Sequence, residues 1–517
     1  MSAPIAAATA ARALTRRLTA RPDRLALFAA LCDQGRRSDT MILETLAGPS
    51  LIMERAAVRI ECRGLDVTLA ALTAGGRTVL RGVARSLPHR VVESGEDRLV
   101  LRFPHPRGDD AEARLLAATP FDALRALTSA IRSDSPEEPF TLACLGVVAF
   151  DHVGFLETLP SCADDPHDFP DYLFWLAESL IVAEPGLAPR LVCTAFEEAA
   201  EPAGRAQYSA AERLATLAAR CEQPIDPVEA PAVAAHPVEA EADLDDDAYA
   251  DVVRRMKDHI LAGDVYQIVP SRTFRAPCTD PLRAFAAARR LDPSPYMFFV
   301  AGPEHVLFGA SPETSVRIAR EEGWPVVEVK PIAGTRPRGA DVDEDDRMEA
   351  ELRLDTKEVA EHMMLVDLAR NDVARVSLPG TRRVAALMSV ERFARVMHLV
   401  SSVKGALAIC YDALHALQAC LNVGTLSGAP KLKATELLRR EERTRRGPYG
   451  GAVGWINGEG AMDTGVVIRS ALVRDGIAYV RAGAGVVHDS DPILEADETR
   501  RKASAILSAI RAAGEAA

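Results

Sequence analysis

The chain has 517 residues, 48% of them hydrophobic and 26% charged, enough to bury a large core and build more than one subdomain. A formal net charge of −13 and a pI near 5.5 weigh against a nucleic-acid or anionic-membrane partner, but not against a small anionic substrate held by a few local Arg and Lys. The nine cysteines include no CxxC pair, which disfavours a zinc ribbon or a disulfide framework and fits a reducing cytoplasm, and the apolar run 141–150 is far short of the about 20 residues that span a bilayer.

Residues 1–22 carry Arg12, Arg16, Arg17 and Arg21 without an acid, a composition shared with transit peptides, and read as a frayed, partly helical N-terminus. Short β-like runs at 57–62 and 98–103 then alternate with helical segments such as 121–131. At 223–243 the chain turns rich in Pro, Ala and acid and loses its apolar period. This reads as a linker between an N-terminal domain, 1–222, and a second domain, 244–517. Beyond it Tyr249, Val252, Val253, Met256 and Ile260 recur at helical spacing, preceded by capping Asp residues and stopped by Gly263. Strands are expected at 265–269, 297–300, 326–331, 466–473 and 477–482, and helices near 344–354, 356–370, 411–420 and 493–512. No internal repeat is evident. Strands and helices in this irregular order imply an α+β fold with α/β-type layers, large sheets covered by helices, whose topology the order alone leaves open.

Several groups could carry chemistry. Glu358 and Glu361 lie three apart on one helical face, and Glu495 and Glu498 repeat the spacing near the C-terminus. Two such pairs could meet across a pocket around one hard cation, although spacing alone favours two solvated faces with ion pairs such as Lys357 with Glu361. Glycine-rich stretches at 424–428, 450–454 and 483–485 offer backbone N–H groups to an anion, but each by itself is more often a strand-end turn. Arg469 interrupts the apolar run 466–473, where a guanidinium wants a carboxylate: a structural partner such as Asp463, or a substrate. His398 interrupts 396–400 in the same way, as a core histidine or as an acid–base group.

Along the chain stand, in order, MILETLA (41–47), YQIVPSR (266–272), PSPYMFF (293–299), LFGASPET (307–314), PIAGTRPRG (331–339), EHMMLVDLARND (361–372), VMHLVS (396–401), GTLSGAPK (424–431), YGGAVG (449–454), VVIRSAL (466–472), AGAGVV (482–487) and EADETRRKA (495–503). The order and wording of these motifs resemble component I of anthranilate synthase, of the chorismate-utilising enzymes. The resemblance implies a fold of large, mostly antiparallel sheets packed together and covered by helices. It implies Mg²⁺ on Glu361 and Glu498, with Glu358 and Glu495 lining the site. Gly334, Thr335, Thr425, Tyr449, Arg469, Gly483, Ala484, Gly485 and Lys502 would surround chorismate, with Arg469 on the enolpyruvyl carboxylate. Glu313 would be the general acid for the C4 hydroxyl, and His398 would assist pyruvate elimination.

Gln267 stands where isochorismate and salicylate synthases have a Lys that activates water, and Ala333 where many aminodeoxychorismate synthases have Lys. Both departures point to ammonia at C2 and to anthranilate, the first committed product of tryptophan biosynthesis. The neighbouring activity of 2-amino-2-deoxyisochorismate synthase, which stops before pyruvate loss, is not separated by any one residue, and a non-catalytic tryptophan-sensing paralogue is a third reading. No cysteine sits in a GxCxG-like setting, so a separate glutamine amidotransferase subunit, in a hetero-tetramer, is expected to supply the ammonia. Glu44, Thr45, Pro295, Tyr296 and Met297 resemble the family's feedback site for L-tryptophan. Thr45 replaces a more frequent Ser, Trp455 a more frequent Tyr, and the loop 46–50 is shorter than in some relatives.

Overall fold

The computed structural model describes residues 9–515 apart from 107, 109, 163–164, 199–203, 234–239 and 394–395. The strands pair along one path. Ser271–Pro277 lies beside Ile477–Gly483, followed by Ser470–Arg474, Val306–Ser311, Tyr296–Ala301, Thr40–Thr45, Ser50–Arg63 and Tyr172–Ala183, each antiparallel to the last. The path continues through Ala143–Val148, Ala452–Asn457, Met462–Val466, Thr314–Glu321, Trp324–Val329 and Val396–Ala406, again antiparallel throughout. Strands from before and after 223–243 therefore share one hydrogen-bonded path, which folds into two layers.

Alternation along the strands shows how the path is layered. Successive strand side chains point to opposite faces, and both faces here are apolar. Met41, Leu43, Phe298, Leu145, Trp175 and Val453 meet in one central core. Their neighbours Ile42, Met297 and Phe299 face a second core, closed by helices Arg24–Leu31, Pro281–Leu291 and Pro492–Glu515. Cys144, Phe174, Leu176 and Ala452 face a third, closed by Ala74–Ser86, Phe121–Ser129 and Ala413–Cys420. The result is helices, sheet, sheet, helices, with the sheets packed face to face. The expected α+β architecture of large antiparallel sheets under helices is the one observed.

Most expected elements are present, with differences that have physical causes. The described part of 1–22 is not a frayed helix but strand Thr9–Arg17, paired residue for residue with Arg190–Glu198; residues 1–8 lie outside the described residues. Its arginines sit largely at the exposed end, Arg16 on Glu222 and Arg17 on the Ala188 carbonyl. The strand expected at 265–269 shrinks to Gln267–Ile268, which pairs with the equally short Gly428–Ala429. In the segment 223–243, Ile225, Val228, Ala230 and Val233 pack against the second core, and Arg290 Nη2 donates to the Pro231 carbonyl at 2.7 Å. Residues 234–239 lie outside the described residues.

Candidate functional site

The site is built where two neighbouring chains change sheets at the same level. Val306–Ser311 pairs with Ser470–Arg474, and the strand that follows, Thr314–Glu321, pairs with Met462–Val466. Residues 312–313 and 467–469 are the two steps between these ladders. They are tied by the Val466 N–H donating to the Glu313 carbonyl at 2.9 Å and the Ala310 N–H donating to the Arg469 carbonyl at 3.0 Å. The single strand expected over 466–473 is thus broken in two at the change of sheet, where Arg469 takes a left-handed backbone, φ +47°, that interrupts the regular ladder. The break turns the guanidinium out of the apolar run. Its partner is Asp292, 3.3 Å away, and not Asp463, which instead accepts from the Tyr296 hydroxyl at 2.7 Å.

On the other step, Glu313 is buried and accepts a hydrogen bond from the Thr425 hydroxyl at 2.7 Å. Burial lifts its carboxyl to about 7, and the Thr425 hydrogen bond and the charge of Lys502 pull it down only in part. Burial thus keeps the protonated form accessible near neutrality.

His398 lies on Val396–Ala406, opposite the bulged stretch of Ile332–Pro337. Its Nδ1 is 2.9 Å from the Gly334 carbonyl and 3.1 Å from the Thr335 hydroxyl. A carbonyl only accepts, so Nδ1 carries the hydrogen and Nε2 keeps its lone pair free. Burial lowers the pKa of the ring, the Gly334 carbonyl opposes this, and the charge of Arg469 adds to it. The imidazole is neutral at neutral pH. Gly334 reaches this geometry at φ +71°, where a β-carbon would also lie 3.3 Å from Glu358.

A third wall comes from the glycine-rich turns. Tyr449 is buried, and its hydroxyl is pushed up to about 12 by burial, against the charges of Arg446 and Arg481. Lys502 Nζ donates to the Gly483 carbonyl at 2.9 Å, and the Ala484 N–H meets the Tyr249 hydroxyl at 3.2 Å. A β-carbon on Gly485 would lie 2.7 Å from the Gln267 amide nitrogen, so that side chain lies against this turn. On Gly483 a β-carbon would stand 2.6 Å from the Pro270 carbonyl, backbone against backbone. Gly483→Ala is therefore expected to lose about 1–3 kcal/mol of stability in denaturant unfolding, together with most of its activity.

The four glutamates come together electrostatically. Burial raises the pKa of Glu361, and the charges of Glu358, Glu495 and Glu498 raise it further against Lys357. Glu495 is raised by burial and by Glu498. Burial also acts on Glu498, but Lys502, 2.7 Å away, outweighs it and holds that carboxyl below its usual range. The expected pair of Lys357 with Glu361 is present at 3.8 Å. Among the described residues no three His, Cys, Asp or Glu stand close enough to form a ready cation cage. The donors themselves, carboxylates with no soft ligand, have the chemistry of a hard divalent cation. Mutual repulsion among them is what such a cation relieves.

The five feedback candidates divide between adjoining cavities. Glu44, Thr45 and Met297 line one of about 550 Å³, and Thr45, Pro295 and Tyr296 line another of about 440 Å³ that also reaches Glu313. Glu44 is engaged by two guanidiniums, Arg24 Nε at 2.8 Å and Arg289 Nε at 2.7 Å. Trp455 lies in a third cavity beside Phe140, with its indole nitrogen buried and unpartnered. Asp292, Arg24 and Arg289 were not among the residues singled out by sequence. Asp292 adjoins the PSPYMFF motif, the one local hint; Arg24 and Arg289 meet Glu44 only through tertiary packing.

Comparison with known proteins follows the same lines. Residues 96–508 match the chorismate binding enzyme family. Anthranilate synthase component 1 of Vibrio cholerae is 45% identical over 502 residues, 94% of each chain. The pyocyanine-specific anthranilate synthase component 1 of Pseudomonas aeruginosa is 46% identical over 90% of this chain and 87% of its own. Among solved structures, anthranilate synthase component I from Streptococcus pneumoniae superposes with a TM-score of 0.67 at 28% identity, covering 90% of this chain and 93% of that one. The menaquinone-specific isochorismate synthase of Escherichia coli shares the fold, with a TM-score of 0.66 at 18% identity over 97% and 94%. By sequence over most of its length, and by fold, the chain belongs to the chorismate-binding enzyme family.

Proposed function

We propose that the chain is the large subunit of an anthranilate synthase, which converts chorismate and ammonia to anthranilate and pyruvate. The observation that carries this reading is Glu313, a buried carboxyl that still holds a proton near neutrality, beside Thr425 and Lys502. Loss of the C4 hydroxyl requires such an acid. As the C2–N bond forms, the ring double bonds shift and the C4–O bond breaks; Glu313 gives its proton to the departing oxygen, so that water leaves instead of hydroxide. Gln267, an amide, can neither protonate ammonia nor activate a competing water.

Aromatisation then removes the C2 proton and expels the enolpyruvyl oxygen. His398, neutral and with Nε2 free, suits the proton transfer, and Arg469, on the same wall through its charge on His398, suits the enolpyruvyl carboxylate. Gly334, Thr335, Tyr449 and the turn 483–485 would enclose the ring. Glu361 and Glu498 would hold Mg²⁺, with Glu358 and Glu495 beside them, and the ion, when bound, supplies a Lewis acid for the ring carboxylate. Ammonia would come from glutamine through a separate amidotransferase subunit, in a hetero-tetramer. Tryptophan would bind at Glu44, Thr45, Pro295, Tyr296 and Met297, which line two adjoining cavities, one of them reaching Glu313. The setting is the cytoplasm; among the described residues no helix is long and apolar enough to cross a membrane.

The purified chain, incubated with chorismate, Mg²⁺ and ammonium at mildly alkaline pH, is expected to yield fluorescent anthranilate and equimolar pyruvate, with the rate falling as tryptophan is added. An aminated, non-aromatic product that accumulates would assign it instead as a 2-amino-2-deoxyisochorismate synthase. No turnover, with tryptophan still bound, would make it a sensor.

A further inference from the structure

We propose that Arg446, acting through Glu442, is a positioning residue that locks the substrate-facing segments of the site into one frame; this rests on the chorismate reading of those segments. Arg446 is 2% exposed and donates four N–H bonds. Nε and Nη2 go to the two carboxylate oxygens of Glu442, at 2.8 and 2.7 Å. Nη1 donates to the Leu426 carbonyl at 2.7 Å, next to Thr425, which bonds Glu313. Nη2 also donates to the Val269 carbonyl at 2.8 Å, at the end of the segment that carries Gln267.

The guanidinium lies between aromatic rings, 4.4 Å from the Phe150 centroid and 5.9 Å from that of Tyr449. It thus packs against the tyrosine, whose hydroxyl lies against the Gly483 turn. Glu442 extends the frame. It accepts from the Ser271 N–H at 3.0 Å, the Ser271 hydroxyl at 2.7 Å and Arg481 Nη2 at 2.9 Å. Arg481 stands two residues before Gly483 and donates a further bond to the Ser271 hydroxyl at 2.8 Å.

One buried cluster thus ties 267–271, 425–426, 449 and 481–485, segments distant in sequence that converge on the same wall. None of its charged groups lies on the ring of residues assigned to chemistry. A buried ion pair is a poor source of net stability, since apolar residues of the same volume serve as well or better. What this one provides is direction: a planar fork sets three carbonyl and carboxylate directions at once, which neither a lysine nor an apolar side chain can do.

The test uses the whole chain with Arg446→Lys, Arg446→Met and Glu442→Gln, reading chorismate KM, ammonium KM, kcat and melting temperature. Lysine keeps the charge on Glu442 but cannot reach the Leu426 and Val269 carbonyls together. In a folded Arg446→Lys protein kcat/KM for chorismate is expected to fall about 100-fold, the size of effect that a misplacement of 1 Å produces, chiefly as a higher chorismate KM with ammonium KM unmoved. Chorismate affinity by calorimetry should fall in parallel and needs no turnover. A wild-type chain that binds chorismate without converting it would therefore sink the reaction while the affinity ratio still decides the frame. Wild-type KM and affinity in any folded variant would overturn the proposal. So would activity lost only in proportion to unfolded protein, or failure of all three variants to fold.

Discussion

Glu313→Gln is expected to lower kcat by about 10²–10⁴-fold, the usual worth of a placed general acid, with a much smaller change in chorismate KM. Glutamine keeps the size of the side chain and an acceptor for the Thr425 hydroxyl, so the loss isolates the proton. The pH dependence carries the same signature. The acid must be protonated, and its carboxyl titrates at about 7. At a constant concentration of free ammonia, kcat/KM for the wild type should decline above that pH by about tenfold per unit, and this limb should be missing from the residual activity of the variant. A Gln variant with wild-type kcat would remove Glu313 from the mechanism.

The same substitution should stabilise the fold. A carboxyl whose folded pKa lies above its unfolded value contributes most at acid pH and loses that contribution as pH rises through the folded value. For Glu313 the window runs from the ordinary carboxylate range up to about 7. Above it, the wild type holds an ion in a buried site at a cost of order 3 kcal/mol, since each pKa unit is worth 1.36 kcal/mol. Glu313→Gln should therefore melt higher than the wild type at pH 8 and lose that advantage at pH 4. Function here is bought with stability.

Glu498→Gln is expected to abolish Mg²⁺-dependent turnover while the protein stays folded. Glu498 is half-buried, and its ion pair to Lys502, 2.7 Å away, is partly solvated on both sides, so little stability rests on it. Any residual rate should need at least about 10-fold more Mg²⁺ for its half-maximum, since one of two assigned carboxylate ligands is gone. Melting temperature without added metal should stay within a degree or two. Full activity at low Mg²⁺ would refute the ligand assignment.

The sequence made some of this legible and not the rest, for reasons that differ by residue. Helix Asp246–Leu261 announced itself because its apolar period and its cap lie in one stretch: Asp245 accepts from the Ala248 N–H as a capping Asp should. The strand Thr9–Arg17 did not, since its order comes from Arg190–Glu198 and no local pattern reports a partner that far away. Residues 466–473 read as one strand because periodicity sees side chains, and the left-handed turn at Arg469 is imposed by the change of sheet. Glu361 and Glu498 were ambiguous by spacing and became a candidate site by motif order. Their mutual repulsion, and the Lys502 that divides them, appear only when helices Thr356–Ala374 and Pro492–Glu515 are seen together.

The sheet path has a consequence for how the chain is made. Ala143–Val148 finds its neighbour in Ala452–Asn457, with Gly146 opposite Gly454, and Thr40–Thr45 finds one in Tyr296–Ala301. At the usual pace of synthesis, about 5–20 residues per second, the strand at 143–148 waits roughly 15–60 s on the ribosome for the partner that closes its edge. Throughout that interval a strand buried on both faces in the finished protein has an open backbone and two apolar sides. The nascent chain should therefore be a strong client of holding chaperones, and its yield in a cell-free translation system should rise when they are supplied.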